Sequence, residues 1–114
     1  MTNFERGDVV LADFGIAGKV RPCVVVSIRQ ADSQRNMSIL APMTTMIKGG
    51  ECEVHFPKPR WLGDESVVNV LGVAGVDNAR ITRRLGRFPE ESFDQVLDAL
   101  ACALGLPEPD QGQN

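Results

Sequence analysis

The chain has 114 residues, 43% hydrophobic and 24% charged, with a formal net charge of −3 at pH 7. That length fits one domain and that apolar content can build one core, which excludes wholesale disorder. The mild acidic balance excludes a polybasic coat, so any contact with nucleic acid has to come from a local patch.

Gly7 to Phe14 is a short, β-branched run closed by the glycine-containing stretch 15–19, and it predicts a first strand. Pro22-Cys-Val-Val-Val-Ser-Ile28 is apolar on successive residues, the pattern of a central strand buried on both faces. Residues 29–36 have loop composition, and Met37 to Ala41 forms a third strand that ends at Pro42. Glu51 to Phe56 alternates with period two, a half-exposed fourth strand stopped by Pro57 and Pro59.

Ser66 to Val73 reads as a fifth strand, Gly75 to Ala79 as a turn, and Arg80 to Phe88 as a strand-like or irregular basic stretch. Phe93, Val96, Leu97, Leu100, Ala101 and Leu104 then recur at spacings of three and four, one face of a helix. Pro89 fits its first turn, Glu90 and Glu91 suit the positive end of its dipole, and Gly105 with Pro107 supplies the stop. A single domain over 1–106 with a polar tail at 107–114 follows. Five or more strands before one terminal helix predict a mainly β fold, an antiparallel barrel or strongly curled sheet with the helix packed on it.

Cys23, Cys52 and Cys102 are odd in number and lack metal-ligand or redox spacing, so they read as buried small hydrophobes in a reducing cytoplasm. No apolar run reaches the length of a membrane span and no signal-peptide core is visible, which predicts a cytoplasmic protein with no membrane contact. Nucleotide-binding glycine loops and the HExxH zinc motif are missing, so no cofactor and no metal is expected.

Chemistry has few places to sit. In Gly18-Lys19-Val20-Arg21-Pro22 two cations stand at the lip of an apolar strand, and Arg21 can donate paired hydrogen bonds to a phosphate. An ordinary surface arginine flanking a strand has the same spacing. Thr44 and Thr45 follow a strand that should lie beside the one starting at Pro22, where hydroxyls can orient a phosphate or a ribose, or serve as turn caps. Arg80, Arg83, Arg84 and Arg87 form a local basic patch, equally readable as a phosphate site or as a solvated hairpin. His55 has no evident partner, and Trp61 reads as a packing residue before a base-stacking one.

Several segments in order resemble the MazF/PemK toxin family: Arg-Gly-Asp-Val at 6–9, the Gly-x-x-Arg-Pro element ending at Pro22, Leu-Ala-Pro-Met-Thr at 40–44, Ser-Val-Val at 66–68 and Arg-Arg-Leu-Gly-Arg-Phe at 83–88. The resemblance runs from about Arg6 to Gly105 and implies an SH3-like antiparallel β-barrel, a homodimer, metal-independent cleavage of single-stranded mRNA and silencing by a cognate antitoxin protein. It assigns catalytic roles to Arg21 and Thr44, with Lys19, Thr45 and Asn69 binding RNA. Leu71 and Ala74 stand where other members carry an Asp and an Arg. Two alternatives stay open: a non-enzymatic DNA gyrase inhibitor of the related CcdB type, or a degenerate toxin that binds RNA or antitoxin without cutting.

Overall fold

The computed structural model describes residues 4–14, 19–29 and 35–107. Residues 1–3, 15–18, 30–34 and 108–114, which include parts of the segments that the sequence reading takes as loops and as a polar tail, lie outside the described residues.

Among the described residues seven strands, β1 (Asp8–Asp13), β2 (Val20–Val25), β3 (Met37–Thr44), β4 (Glu53–His55), β5 (Val67–Asn69), β6 (Ala74–Asp77) and β7 (Ile81–Arg87), precede one helix, α1 (Glu90–Leu104). Their pairings are antiparallel in the order β4-β5-β3-β2-β1-β7, with β6 added beside β3. The mainly β fold with a C-terminal helix is as expected.

β2 is central and, from Cys23 to Val25, buried on both faces, as its successive apolar residues require; it ends at Val25, short of the expected Ile28, which is 65% exposed. Val24 joins Val9, Ala41, Val68 and Val96 in a core that packs against α1, while Cys23 and Val25 join Val10, Leu40 and Val76 in a second core. Each fully buried valine contributes about 1.5 kcal/mol or more. A one-residue slip would exchange the occupants of the two cores, so packing fixes the register.

β3 runs on through Pro42 to Thr44, where the sequence reading stops it. Ile39 O accepts from Val26 N–H, so odd positions of β3 face β2 and Pro42 faces the other way. On that side β6 pairs with Met37 to Leu40 and β5 with Met43 and Thr44, leaving Pro42 without a ladder partner. No N–H is needed there.

The expected fifth strand is divided. Asn69 Oδ1 accepts from Leu71 N–H at 3.2 Å, and the chain makes a 3₁₀ turn over Val70–Gly72. A side chain bonding the backbone two residues on competes with the ladder, and alternation alone does not reveal it. Gly75 to Val76, read as turn, belongs to β6 and pairs with Ser38 and Ile39, while the turn itself is a second 3₁₀ segment, Asn78–Arg80, capped by Asp77. The basic stretch is a paired strand, β7, against β1.

Pro89 caps α1 from outside at ψ 131°, and Gly105 ends it in the left-handed conformation at φ 73°. Val96 is fully buried, and Phe93 and Leu100 pack on the same core. Leu104 is 63% exposed, so the apolar face read in the sequence is not buried to its end.

Candidate nucleic-acid groove

Arg21 and Thr44 come together through strand register. Cys23 pairs with Pro42, and continuing that antiparallel ladder by two positions sets Arg21 level with Thr44. Arg21 shares parity with Cys23 and Val25, and Thr44 with Leu40, so both extend the face of the second core past its apolar edge. There the surface opens into a groove of about 550 Å³, lined by Arg21, Thr44 and Asn69 and, from the segment after β3, by Met46 and Lys48.

Local hydrogen bonds set the polar groups. Thr44 Oγ1 accepts from Met46 N–H at 3.0 Å, which leaves its hydroxyl proton to donate. This is the turn cap the sequence left open as an alternative, and it does not consume the donor. Glu53 accepts from Lys48 N–H at 3.0 Å and Gly49 N–H at 2.7 Å, and Gly49 turns the chain at φ 83°. The Glu53 carboxylate thus ties β4 to the segment that carries Lys48 along the groove wall.

The other sequence candidates are dispersed. Lys19 and Thr45 are exposed, but neither is among the groove-lining residues. His55 is exposed on β4. Trp61 packs on the core near Gly86, where an added Cβ would stand 2.6 Å from the indole nitrogen. Lys48, Glu53 and Met46 were missed, the turn signal Lys48-Gly49-Gly50 being the one clue to them, and Leu71, marked in sequence as a departure from the family pattern, also lines the groove.

Two members of the basic patch, Arg84 and Arg87, have a structural task. Asp8 is 5% exposed and accepts from Glu5 N–H at 2.9 Å, Arg84 Nε at 2.9 Å and Arg87 Nη1 at 3.0 Å. Burial pushes its carboxyl up, but the Glu5, Arg84 and Arg87 hydrogen bonds and the Arg84 charge outweigh it, and the net shift is downward. The motifs at 6–9 and 83–88 are therefore two halves of one clasp between β1 and β7. Gly7 belongs to it: φ is 93°, and an added Cβ would stand 2.9 Å from the Arg87 guanidinium.

Cys23 is fully buried, and desolvation, partly opposed by the Arg21 charge, pushes its thiol up to about 12. The expectation of three buried cysteines holds for Cys23 alone, since Cys52 is half-buried and Cys102 exposed. Among the described residues no group of three or more His, Cys, Asp and Glu is placed to hold a metal ion. Nor is any described helix long and apolar enough to cross a membrane.

Comparison with known proteins bears on this geometry. The family described as PemK-like, MazF-like toxin of type II toxin-antitoxin system matches residues 5–104. Endoribonuclease toxin ChpB of Escherichia coli K12 is 31% identical over 90% of this chain and 96% of its own length. Probable endoribonuclease MazF5 of Mycobacterium tuberculosis is 33% identical over 87% of this chain and 91% of its own. Among solved structures, a mycobacterial endoribonuclease in complex with its cognate antitoxin superposes with a TM-score of 0.79 at 24% identity, over 93% of this chain and 99% of that one. That last likeness establishes the shared fold.

Proposed function

The chain belongs to the PemK-like, MazF-like toxin family of type II toxin–antitoxin systems, and from that premise we propose that it is a cytoplasmic endoribonuclease toxin that cuts single-stranded mRNA. The observation that carries this reading is the groove in which Arg21, Thr44 and Asn69 meet. Relatives named as endoribonucleases support it.

The proposed reaction is transesterification without a metal. The substrate's 2′-oxygen bonds to the adjacent phosphorus and the bond from phosphorus to the 5′-oxygen breaks. The 2′-oxygen gives up a proton and the 5′-oxygen gains one, leaving a 2′,3′-cyclic phosphate and a 5′-hydroxyl. Arg21 donates to the phosphorane, whose extra negative charge develops in the transition state, and Thr44 donates its free hydroxyl proton to a nonbridging oxygen. Lys48 adds a cation on the groove wall. Lys19 and Thr45 fit strand approach outside the groove, so their role in binding is peripheral.

The domain acts over 1–106 with 107–114 as a tail, as a homodimer silenced by a cognate antitoxin. The antitoxin complex of the mycobacterial endoribonuclease supports that partner.

Leu71, 70% exposed where family members carry an acidic residue, favours one second reading: RNA or antitoxin binding without cutting. The deciding experiment incubates a long single-stranded RNA with the protein in EDTA, beside Arg21→Ala, and maps product ends. Discrete cuts bearing cyclic phosphate, slowed by roughly 10²- to 10³-fold in Arg21→Ala, are expected. RNA bound but intact supports the second reading; intact RNA with blocked DNA supercoiling supports gyrase inhibition.

A further inference from the structure

We infer that His55 is the general base of the proposed cleavage, the group that takes the proton from the attacking 2′-OH. The inference deepens the ribonuclease reading and rests on it.

Strand register carries it. His55 on β4 pairs with Val67 on β5, and Val67 pairs with Thr44 on β3. Thr44 in turn is level with Arg21 by the ladder that joins Cys23 to Pro42. Residues paired across an antiparallel sheet project from one face, so His55, Thr44 and Arg21 stand in a single row on the same face. That face is the groove's own: Glu53 and Asn69 pair and both line the groove, and His55 follows Glu53 by two residues, with the same parity. Strands about 4.8 Å apart set the His55 and Thr44 backbones about 10 Å apart. Val67 between them is fully buried and offers no competing polar side chain. One ribose with its 3′-phosphate spans that interval, the phosphate toward Thr44 and Arg21 and the 2′-oxygen toward the imidazole.

The other groups of the groove are committed or displaced. Arg21 and Lys48 are cations, and the Thr44 and Asn69 oxygens accept from the Met46 and Leu71 N–H groups. Glu53 spends both oxygens on the Lys48 and Gly49 amides. Glu51 lies two residues from Glu53 in the opposite direction, away from the Thr44 row, and Cys52 packs against the first core. His55 is exposed, and no hydrogen bond or ion pair joins its imidazole to another described residue. Imidazole is also the side chain suited to taking a proton near neutral pH.

As His55 takes the proton, the 2′-oxygen bonds to phosphorus and the bond from phosphorus to the 5′-oxygen breaks. The 5′-oxygen draws a proton from water, and the imidazolium returns its own to the hydroxide left behind.

Cleavage of the long single-stranded RNA by His55→Ala and His55→Gln tests the assignment, beside anisotropy with a labelled 2′-deoxy strand, which the proposed route cannot cut. Glutamine keeps a polar side chain and removes the base. Both variants should bind the deoxy strand as tightly as the wild type and cut RNA about 10²- to 10⁴-fold more slowly. Free imidazole should recover part of the rate in His55→Ala, whose shortened side chain leaves room for it, and none in Arg21→Ala.

Cleavage by His55→Gln at the wild-type rate overturns the assignment. So does a loss in His55→Ala that imidazole leaves untouched, or one matched by an equal loss of binding, since either places the residue in packing or in affinity. A wild type that cuts beside equally fast His55 variants sinks this assignment alone, whereas a wild type that cuts no RNA sinks the ribonuclease reading and the assignment with it.

Discussion

Replacing Asp8 by asparagine tests whether the clasp between the two ends of the chain holds the sheet together. The carboxylate accepts three hydrogen bonds, two from arginines whose side chains are 49% and 54% exposed. A charge-assisted hydrogen bond contributes about 1.5–3 kcal/mol when buried, but these guanidiniums regain water when released, which discounts each one. The amide oxygen of the replacement would also keep the bond from the Glu5 N–H. A loss of about 2 kcal/mol at pH 7 follows, or roughly 10 °C in Tm for a chain of this length.

Because the Asp8 carboxyl is held below its ordinary 3.8, its contribution is complete above that pH and is lost as pH falls through the folded value. Urea unfolding of wild type and Asp8→Asn should therefore show a gap that is full at pH 7 and closes as the medium is taken below the ordinary carboxyl range. A gap under about 0.5 kcal/mol at pH 7, the ordinary scatter of surface substitutions, would refute the reasoning. So would an equal gap at both acidities, because it would assign the loss to packing and not to charge.

Lys48→Ala is expected to lower the salt slope of RNA binding by about 0.7, the value for one single-strand phosphate contact. Glu53→Ala, which releases the Lys48 and Gly49 amides, should raise KM more than it lowers kcat, since it loosens the groove wall and leaves Arg21 in place. Gly86→Ala drives a Cβ into the indole of Trp61, the chain's one tryptophan. A red-shifted emission and a loss of about 1–3 kcal/mol should accompany it. In thiol titration of the native protein near pH 8, exposed Cys102 should react at once, while Cys23, held protonated up to about 12 and buried, should react only on unfolding.

The elements most readable in sequence were those whose own side chains decide them. β2 announces burial on both faces by being apolar at every step from Pro22 to Val25, and α1 carries its start and stop in Pro89, the two glutamates and Gly105. Where two local rules compete, pattern failed. Pro42 looked like an end to β3 because its tolerance depends on a gap between β5 and β6, strands more than twenty residues away. The run from Ser66 to Val73 looked continuous because one hydrogen bond, from Leu71 N–H to the Asn69 side chain, outweighs its alternation.

The site divides the same way. Chemistry by residue type marked Arg21 and Thr44, and family likeness gave them an order and added Asn69, so these three were available before any fold was known. Lys48, Glu53 and Met46 were not, because a lysine or an exposed methionine acquires a role only from what faces it across a groove. The arginines at 84 and 87 show the converse: as sequence they read equally as a phosphate site or a solvated hairpin, and in the fold Asp8 claims both. Sequence by itself determined the class of fold and the residues capable of the chemistry, since periodicity and functional groups are local properties. Tertiary structure decided which charges are spent on stability and which face the groove, since that turns on partners distant along the chain.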